Sequence, residues 1–380
     1  MAINIHITPS EIKNASRILK ETKSISSYNL FDQVVIAAKG GLDIEEEQIL
    51  NHNRYIWNVT VSNLGLKASG LRMYLKGFIW MIKIFWRFKG YTGLVINCHH
   101  IEVLLLCWLL KWSTNGKLIY DTHELETERH YYGPLKRSFY KILERILIKK
   151  IDFTIVVSPL IENWYVKTYN VQKIATVRNI PEVVDDRRSK SNVLREEFKI
   201  PVDHIIFIYQ GGFISGRFIE ELLQVFNQVE ATKHIVFMGY GYLVNEIIER
   251  CGYNSNIHYK AAVPPEEVEV VTRSADVGMC MIENVSLSYY YSAPNKLFEY
   301  LLSGLPVIHS DFPYISQIAN DYDCGWKASF SVDKLVGLVN SIDKNSILKK
   351  KKKLNNIHKC LNWENEAQKM NSIYQGIMDN

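Results

Sequence analysis

The amino-acid sequence predicts an α/β protein with two domains, each built around a parallel sheet that helices cover on both faces. Short runs rich in Val and Ile recur along the 380 residues, and each is followed by a segment of helix length. This βαβ pattern is typical of parallel strands buried on both faces. The pattern occurs on both sides of a polar segment, and the chain is about two to three times as long as a common domain, so two separate cores are expected.

The predicted strands are residues 34–38, 93–98, 117–121, 153–158, 205–210, 234–239, 276–281 and 306–309. We therefore predict an N-terminal domain over residues 1–182, a linker over 183–190, a C-terminal domain over 191–358 and a final helix over 359–380. We expect that helix to pack back on the N-terminal domain. Ligands bind beyond the carboxyl ends of parallel strands, so the two domains should face each other across a cleft that holds the site.

Composition indicates a folded cytoplasmic protein. Apolar residues make up 47% and charged residues 22%, as in ordinary globular chains. The six cysteines lie far apart without zinc-type spacing, so we expect reduced thiols and no bound metal. The first residues lack the basic and apolar regions of a secretory signal, so we do not expect the protein to be exported. No apolar run approaches the roughly 20 residues of a transmembrane helix.

Two basic, aromatic stretches in the first half suggest contact with a membrane. One runs from Lys67 to Lys89, inside a segment without acidic residues, and the other from Pro134 to Lys150. Interleaved Lys, Arg and aromatic residues are typical of helices that lie in a lipid interface, so we expect peripheral binding to the anionic inner face of the cytoplasmic membrane. The alternative is that the aromatic residues are core and the basic residues a solvated face. No nucleic-acid-binding motif accompanies this basic charge, so we do not expect the protein to bind nucleic acid.

The start of a predicted helix in the second half is a candidate anion site. Pro294 suits the first turn of a helix and Leu297 begins its buried side, so Asn295 and Lys296 lie at its N-terminus. Backbone N–H groups and the helix dipole favour a diphosphate there, and Lys296 adds charge. Glu299, one turn further on, is placed to accept hydrogen bonds from a ribose diol. The alternative is an ordinary helix with Lys and Glu on its surface.

Two glycines after a strand form a second candidate. Gly211 and Gly212 are expected in a turn between the strand at 205–210 and a helix. Without side chains they would let backbone amides approach a phosphate, on which Arg217 would close. An ordinary turn is the alternative.

A third group of polar residues follows two strands of the first half. His99 and His100 end one strand, and His123 and Glu124 follow the next. Titratable groups at strand ends are site candidates, and the carboxylates on either side of His123 are expected to raise its pKa and orient its ring. A packed or capping histidine is the alternative. The ligand set is not convincing for a metal.

In their order along the chain these motifs resemble the GT-B glycosyltransferases of the family-4 type, retaining enzymes that build bacterial surface and capsular polysaccharides. The resemblance covers most of the chain and rests on residues 17–21, 120–125, 177–181, 211–217 and 293–300. It implies two Rossmann-like domains, a nucleoside-diphosphate sugar as donor with UDP favoured, and no cofactor or required metal.

The resemblance also assigns roles. His123 matches the family's active-site histidine, which lies near the transferred sugar. Arg217 matches the basic residue that holds the donor diphosphate, and Glu299 matches the glutamate that binds the donor ribose. His123, Arg217 and Lys296 are the predicted catalytic residues. Donor binding is expected from Gly211, Gly212, Arg217, Pro294, Asn295, Lys296, Leu297 and Glu299, and acceptor contacts from His99, His100 and Glu124.

Three positions depart from the family pattern. Gly212 stands where an arginine is frequent, and Tyr291 stands where the first glutamate of a spaced pair would fall, although Glu283 upstream is a candidate substitute. Residues 9–14 replace a glycine-rich turn near the first strand.

The function implied is transfer of a sugar, with retention of anomeric configuration, to a hydroxyl of a lipid-linked saccharide in surface polysaccharide synthesis. Arg217, Lys296 and the helix amides would stabilise the departing diphosphate, the kind of electrostatic effect that dominates many enzymes. His123 would hydrogen-bond the donor sugar. The alternatives are a sugar-nucleotide epimerase of the same architecture and a catalytically inactive subunit that scaffolds a polysaccharide assembly complex.

Overall fold

A computed structural model describes residues 2–12, 15–41, 45–61, 70–182 and 191–379. The chain divides into two compact units, the first formed by residues 1–178 and 364–380 and the second by residues 179–363. The predicted linker at 183–190 and Lys67 lie outside the described residues.

The described residues of the first unit form a sheet of eight strands in the order β3-β4-β2-β1-β5-β6-β7-β8. Its strands are β1 (Ile3–Ile7), β2 (Gln33–Lys39), β3 (Glu47–Ile49), β4 (Arg54–Val59), β5 (Val95–Cys98), β6 (Lys117–Thr122), β7 (Phe153–Val156) and β8 (Ile174–Thr176). β3 pairs with β4 in the antiparallel direction, and the neighbours from β4 to β8 pair in parallel. Central strands such as β2 are almost wholly apolar because both faces are buried.

The described residues of the first unit that precede its last helix form α1 (Ser16–Ser27), α2 (Gly70–Phe88), α3 (Leu104–Thr114), α4 (Pro134–Leu147) and α5 (Pro159–Tyr169). Short 3₁₀ turns lie at Ile101–Val103, Glu126–Glu128 and Ile148–Lys150. Within the described part of the chain, no helix is long and apolar enough to cross a membrane.

In the second unit, the residues that the structure describes form a parallel sheet of six strands in the order β11-β10-β9-β12-β13-β14. The strands are β9 (Ile205–Gly212), β10 (Lys233–Tyr240), β11 (Ile257–Ala261), β12 (Val277–Cys280), β13 (Val307–Ser310) and β14 (Gly325–Ala328). Its helices are α6 (Val193–Phe198), α7 (Ile219–Phe226), α8 (Val244–Tyr253), α9 (Pro265–Arg273), α10 (Leu287–Tyr290), α11 (Asn295–Leu302), α12 (Pro313–Asp321), α13 (Val332–Ser341) and α14 (Lys344–Leu354), with a 3₁₀ turn at Ile357–Lys359.

The last helix, α15 (Trp363–Met378), belongs to the first unit from Glu364 onward. Its apolar side is buried through Ala367, Met370 and Tyr374. The buried carboxylate of Glu366 accepts hydrogen bonds from the backbone N–H of Arg178 at 2.9 Å and from its Nε at 2.9 Å.

The predicted fold class is confirmed, since both units are α/β and their strands pair in parallel apart from the edge strand β3. Every predicted strand overlaps an observed one, and β1 is among those that the sequence analysis missed. β1 alternates isoleucines with Asn4 and His6, yet all five side chains are buried. Two buried polar residues in a central strand require partners, and these lead to the candidate site.

We expect Gly278→Ala to destabilise the second unit. A Cβ atom at Gly278 in β12 would lie 2.4 Å from the ring of Tyr300, which is fully buried. Overpacking of this kind costs about 1–3 kcal/mol, measured as the free energy of unfolding in urea. The matched control is Gly337→Ala in α13, where the new Cβ meets no described atom within 4 Å. That change should stabilise by about 0.5–1 kcal/mol, and equal effects of the two substitutions would contradict the packing described.

Candidate functional site

In the first unit, polar side chains converge where β1, β5 and β6 end. The three strands are neighbours in parallel register, so their carboxyl ends lie at one edge of the sheet. His6 and Asp121 lie near the ends of β1 and β6, and His99 and His123 directly follow β5 and β6. The sequence analysis recognised His99 and His123 but not the contribution of His6.

Asp121 is the charged centre of this group. Its Oδ1 accepts from Nη2 of Arg17 at 2.9 Å, while Nε of Arg17 lies 2.8 Å from Oε1 of Glu21. Burial alone would raise the pKa of Asp121, but Arg17, His99 and His123 outweigh it and hold that pKa well below the usual value. Burial raises the pKa of Glu21 well above its usual value. Asp121 is therefore ionised at neutral pH, and Glu21 binds a proton more readily than an ordinary glutamate.

His123 is the member of this group that reaches the surface, with 22% of its side chain exposed. Its Nε2 lies 3.1 Å from Nδ1 of His99 and 3.9 Å from Oδ2 of Asp121. The expectation that flanking carboxylates raise its pKa is wrong. Burial lowers the pKa of His123 well below the usual value, and the positive charge of nearby Arg17 adds to this, against the opposing effect of Asp121.

The predicted acceptor-side residues differ in accessibility. His99 has no exposed surface and both its ring nitrogens have partners, so the prediction that it contacts an acceptor is wrong. His100 is partly buried beside Nη2 of Arg129 at 3.4 Å, and burial, with that positive charge, lowers its pKa to about 4. Glu124 is 40% exposed and lies 3.6 Å from Nε of Arg129. His100 and Glu124 remain candidates.

Three groups of His, Asp and Glu in the described residues bring metal-type ligand atoms within 4.8 Å of one another, which the sequence did not indicate. They are His6 with Glu21 and His99, His99 with Asp121 and His123, and His100 with Glu102 and Glu126. Each group contains a carboxylate that is paired with an arginine. In each group the guanidinium beside the carboxylate opposes the binding of a second cation.

In the second unit, the first turn of α11 carries a buried ammonium group. Nζ of Lys296 is buried, lies 3.6 Å from the ring centroid of Tyr209 and has no hydrogen-bond acceptor among the described residues. Burial, reinforced by the charge of Arg217, lowers the pKa of Lys296 to about 7. The alternative of a surface lysine is thereby excluded. A buried cation without an acceptor is a costly arrangement that an anion would relieve.

Arg217 lies in the turn between β9 and α7. Its guanidinium carbon is 4.6 Å from the ring centroid of Tyr289. Glu283 holds this turn in place, because its Oε1 accepts from the N–H of Phe218 at 3.1 Å and its own N–H donates to the carbonyl of Gly216 at 3.1 Å. The structure thus gives Glu283 a task other than substituting for the missing glutamate at Tyr291.

Gly211 and Gly212 do not form the turn that the sequence predicted. They are the last residues of β9 and pair with Gly239 and Tyr240 of β10, because the strand continues to the end of its neighbour. A Cβ atom at either glycine would meet no described atom within 4 Å. The strand end is therefore bordered by open space, and a ligand would not meet side chains from these two positions.

Glu299 is oriented by Gln210, a residue that sequence reasoning missed. Nε2 of Gln210 donates to Oε2 of Glu299, and its Oε1 accepts from Oγ1 of Thr272 at 2.8 Å. Gln210 is nearly fully buried between the two partners. Its link to Glu299 joins β9 to α11, and such long-range pairs leave no local pattern in a sequence.

The start of α11 differs slightly from the prediction. Pro294 lies in extended conformation just before the helix, which begins at Asn295, and no side-chain hydrogen bond caps this end. Oδ1 of Asn295 accepts from Nδ2 of Asn179 at 2.9 Å. Leu297 is buried, as predicted. The uncapped helix end lies next to the ammonium of Lys296, so positive potential from two sources acts at one place.

Comparison with known proteins supports the fold. Over 269 residues the chain is 25% identical to a Candida albicans chitobiosyldiphosphodolichol beta-mannosyltransferase, a match that covers 64% of this chain and 58% of that protein. No family model matches the sequence. Sucrose-phosphate synthase from Thermosynechococcus elongatus is similar over 100% of both chains, with a TM-score of 0.77 and 14% identity. The chain has a GT-B glycosyltransferase fold.

Two further structures of this fold are similar along almost the whole chain. Anabaena HepE, in a complex with UDP and glucose, has a TM-score of 0.73 and 10% identity over 99% of this chain and 100% of that one. WaaG, a glycosyltransferase involved in lipopolysaccharide biosynthesis, has a TM-score of 0.68 and 12% identity over 97% and 98% of the two chains.

We expect Lys296→Met to stabilise the second unit. The pKa of Lys296 falls from 10.5 to about 7 on folding, so the unfolded chain binds more protons between these values and stability rises with pH across that window. Removing the amine should raise the free energy of unfolding by about 2–4 kcal/mol near pH 7, and by less near pH 9.5. Denaturant titrations at both values measure this. Lys334→Met, at an exposed position of α13, is the control and should have little effect.

Proposed function

We propose that the protein is a retaining glycosyltransferase that moves a sugar from a nucleoside-diphosphate sugar, preferably a UDP-sugar, to a hydroxyl of a lipid-linked saccharide. The observation that carries this proposal is the buried ammonium of Lys296, without an acceptor among the described residues, beside Arg217 and the uncapped start of α11. This combination fits a diphosphate, which carries several negative oxygens at one place.

The same groups suit the chemistry of glycosyl transfer. As the bond between sugar and diphosphate breaks, negative charge grows on the leaving phosphate. Lys296, Arg217 and the amides at the start of α11 are fixed before the reaction, so they stabilise that charge without reorganising. In this proposal no metal ion is needed for leaving-group departure, because the cationic side chains provide the compensating charge.

Glu299 supports the nucleoside part of the donor. Gln210 fixes the position of its carboxylate, and a carboxylate accepts several hydrogen bonds at once. Ribose hydroxyls are suitable donors to such a group, one helical turn from the proposed diphosphate site. In the first unit, we propose that His123 hydrogen-bonds the transferred sugar.

The comparisons support the choice of substrates. The mannosyltransferase relative is named for an acceptor in which a saccharide is joined to dolichol through a diphosphate. HepE was crystallised with UDP and glucose. Because this chain spans 58% of the length of the mannosyltransferase, donor and acceptor are proposals for direct testing.

A thermal-stabilisation screen of UDP-, GDP- and other activated sugars identifies the donor, since a ligand that binds only the folded chain raises its melting temperature. NMR of freshly formed product then reports its anomeric configuration, and inversion would contradict the retaining mechanism. Release of an isomerised nucleotide sugar without acceptor would favour an epimerase. Failure to bind any nucleotide sugar would favour a scaffold subunit.

We also propose that the first unit contacts the inner face of the cytoplasmic membrane through α2, α3 and α4. α3 packs between the other two helices. Each helix has an exposed apolar stripe, formed by Tyr74, Phe78, Ile82 and Trp86 on α2, Leu105, Leu109 and Trp112 on α3, and Leu135, Phe139, Ile142 and Ile146 on α4.

The charge of these helices favours anionic lipid as the occupant. α2 and α3 contain no acidic residue, and Glu144, the acidic residue of α4, is buried. Arg145, Lys149 and Lys150 are exposed at the end of α4. The alternative prediction was that the aromatic residues of these stretches belong to the core. It holds for Trp80 and Phe88, which are buried, but not for the exposed stripes. An adjacent apolar and basic surface is suited to a lipid interface.

Substitution of Arg217 by Ala is expected to weaken UDP binding about tenfold or more and to reduce turnover sharply, because hydrogen bonds to charged groups contribute about 1.5–3 kcal/mol. Isothermal titration calorimetry measures the affinity. Arg250→Ala, at an exposed position of α8, is the control and should bind UDP as the native chain does. An unchanged Kd for Arg217→Ala would remove this residue from the diphosphate site.

Membrane contact is tested by flotation with vesicles of phosphatidylglycerol and phosphatidylcholine. Trp112 and Leu135 are 77% and 89% exposed, and the double change to Ser should reduce vesicle binding by about tenfold or more, because burying such side chains contributes about 1.5–3 kcal/mol each. The control changes Tyr253 and Val202, exposed apolar residues of the second unit, to Ser. Equal losses in both variants, or binding insensitive to salt, would argue against the proposed surface.

A further inference from the structure

A cavity of about 370 Å³ lies in the first unit, between α15 and the starts of three strands. Lys117 is the first residue of β6, Phe153 is the first of β7, and Lys173 directly precedes β8. Because these strands are parallel neighbours, the cavity lies at the edge of the sheet opposite to the one that carries His123. It is therefore separate from the candidate site, and its volume is in the range of about 300–1,000 Å³ that is typical of small-molecule sites.

A glycine keeps the helix side of the cavity open. Ile373, Gly376 and Ile377 of α15 line this side. A Cβ atom at Gly376 would meet no described atom within 4 Å, so the cavity has room for a larger side chain. Glycine inside a helix is less favourable than alanine. The chain thus gives up helix stability at a position where a side chain would fill the cavity.

Two lysines give the cavity a positive charge. Neither Lys117 nor Lys173 has an ion-pair partner in the parts of the chain that the structure describes. Asp152 also lines the cavity, but its Oδ2 already accepts from Nζ of Lys111 at 2.7 Å and from the N–H of Leu118 at 2.6 Å. The charge that remains is that of the two lysines, which favours an anion.

Much of the remaining lining is apolar. Phe153, Ile373 and Ile377 border the cavity, and the first two are only partly buried. Covering such side chains with hydrocarbon is favourable in proportion to the area removed from water. A small soluble anion would contact the lysines and leave this area hydrated. The lining therefore fits an anionic amphiphile better than it fits a free phosphate.

The cavity adjoins the basic end of the proposed membrane surface. Lys111 is next to the exposed Trp112 on α3, and its Nζ donates to the carbonyl oxygen of Lys150 at 2.7 Å. A second cavity of about 210 Å³ is lined by both Lys149 and Lys173. Lysines thus continue from the end of α4 to the first cavity, along a path suited to a lipid headgroup.

We propose that this cavity binds an anionic membrane phospholipid, with the phosphate at Lys117 and Lys173 and an acyl chain against Phe153 and α15. The choice of a lipid rests on the membrane surface proposed above, whereas glycosyl transfer is not required. Because α15 forms one wall, a bound lipid contacts the last helix and the strand starts together. Such a ligand binds only where α15 is in place, so it stabilises the packing of that helix.

Calorimetric titration of the full chain with dihexanoylphosphatidylglycerol, below its critical micelle concentration, tests the site without vesicles. This lipid should bind about tenfold or more tightly than glycerol phosphate, which lacks acyl chains, and than dihexanoylphosphatidylcholine, which has no net charge. Equal affinity for glycerol phosphate would assign the lysines to a soluble phosphate ester. Equal affinity for the phosphatidylcholine would mean that the lysines do not select the ligand. Either result would overturn the proposal.

Two variants locate the lipid. Gly376→Leu fills the cavity and favours the helix, so it should weaken phosphatidylglycerol binding about tenfold or more without lowering the free energy of unfolding. The double change Lys117→Gln and Lys173→Gln should weaken binding about as much. The matched controls are Gly337→Leu and Lys334→Gln, at exposed positions of α13, which should bind as the native chain does. Native affinity in either cavity variant would contradict the assignment.

The double change of Trp112 and Leu135 to Ser separates the cavity from the membrane surface. Neither residue lines the cavity, so the affinity for dihexanoylphosphatidylglycerol should stay unchanged in this variant while vesicle flotation falls. Loss of soluble-lipid binding in this variant would place the lipid on the exposed stripes and overturn the proposal. Failure of flotation alone would refute the membrane surface, and UDP binding, measured separately, decides the proposed catalytic function.

Discussion

The first unit is organised around the need to bury the negative charge of Asp121. Removing a carboxylate from water costs several kcal/mol unless cations and hydrogen-bond donors replace the lost hydration. Arg17 of α1 meets one oxygen and His99, after β5, meets the other. Arg17 also donates to the carbonyl of Val177 at 2.9 Å, beyond β8. One buried charge thus ties a helix and three strand ends together, and the position of His123 follows from that assembly.

The two units treat buried charge in opposite ways. Asp121 has partners for its charge within its own unit, whereas Lys296 is buried without an acceptor among the residues described. In the first arrangement the buried charge is compensated. The second destabilises the fold and is typical of a site shaped for a ligand that is not part of the chain. This contrast, more than any single motif, supports the proposed anion site at the start of α11.

Sequence patterns predicted the fold well because buried parallel strands such as β2 and β9 are continuous apolar runs. They failed for β1, where Asn4 and His6 are buried but serve a polar network rather than the apolar core. Lys296 and Glu299 were recognisable from a helix start. The burial of Lys296 and the role of Gln210 were not, because each depends on residues from strands distant in sequence.

The position of α15 has a consequence for synthesis of the chain on the ribosome. The strands of the first unit are translated before residue 178, yet Tyr374 and Glu366, which complete its core and bind Asn97 and Arg178, come almost 200 residues later. The nascent first unit therefore remains incomplete while the whole second unit is translated. During this time, the surface on which α15 packs is exposed. Chaperones that recognise exposed apolar surface have their longest opportunity to act during that interval.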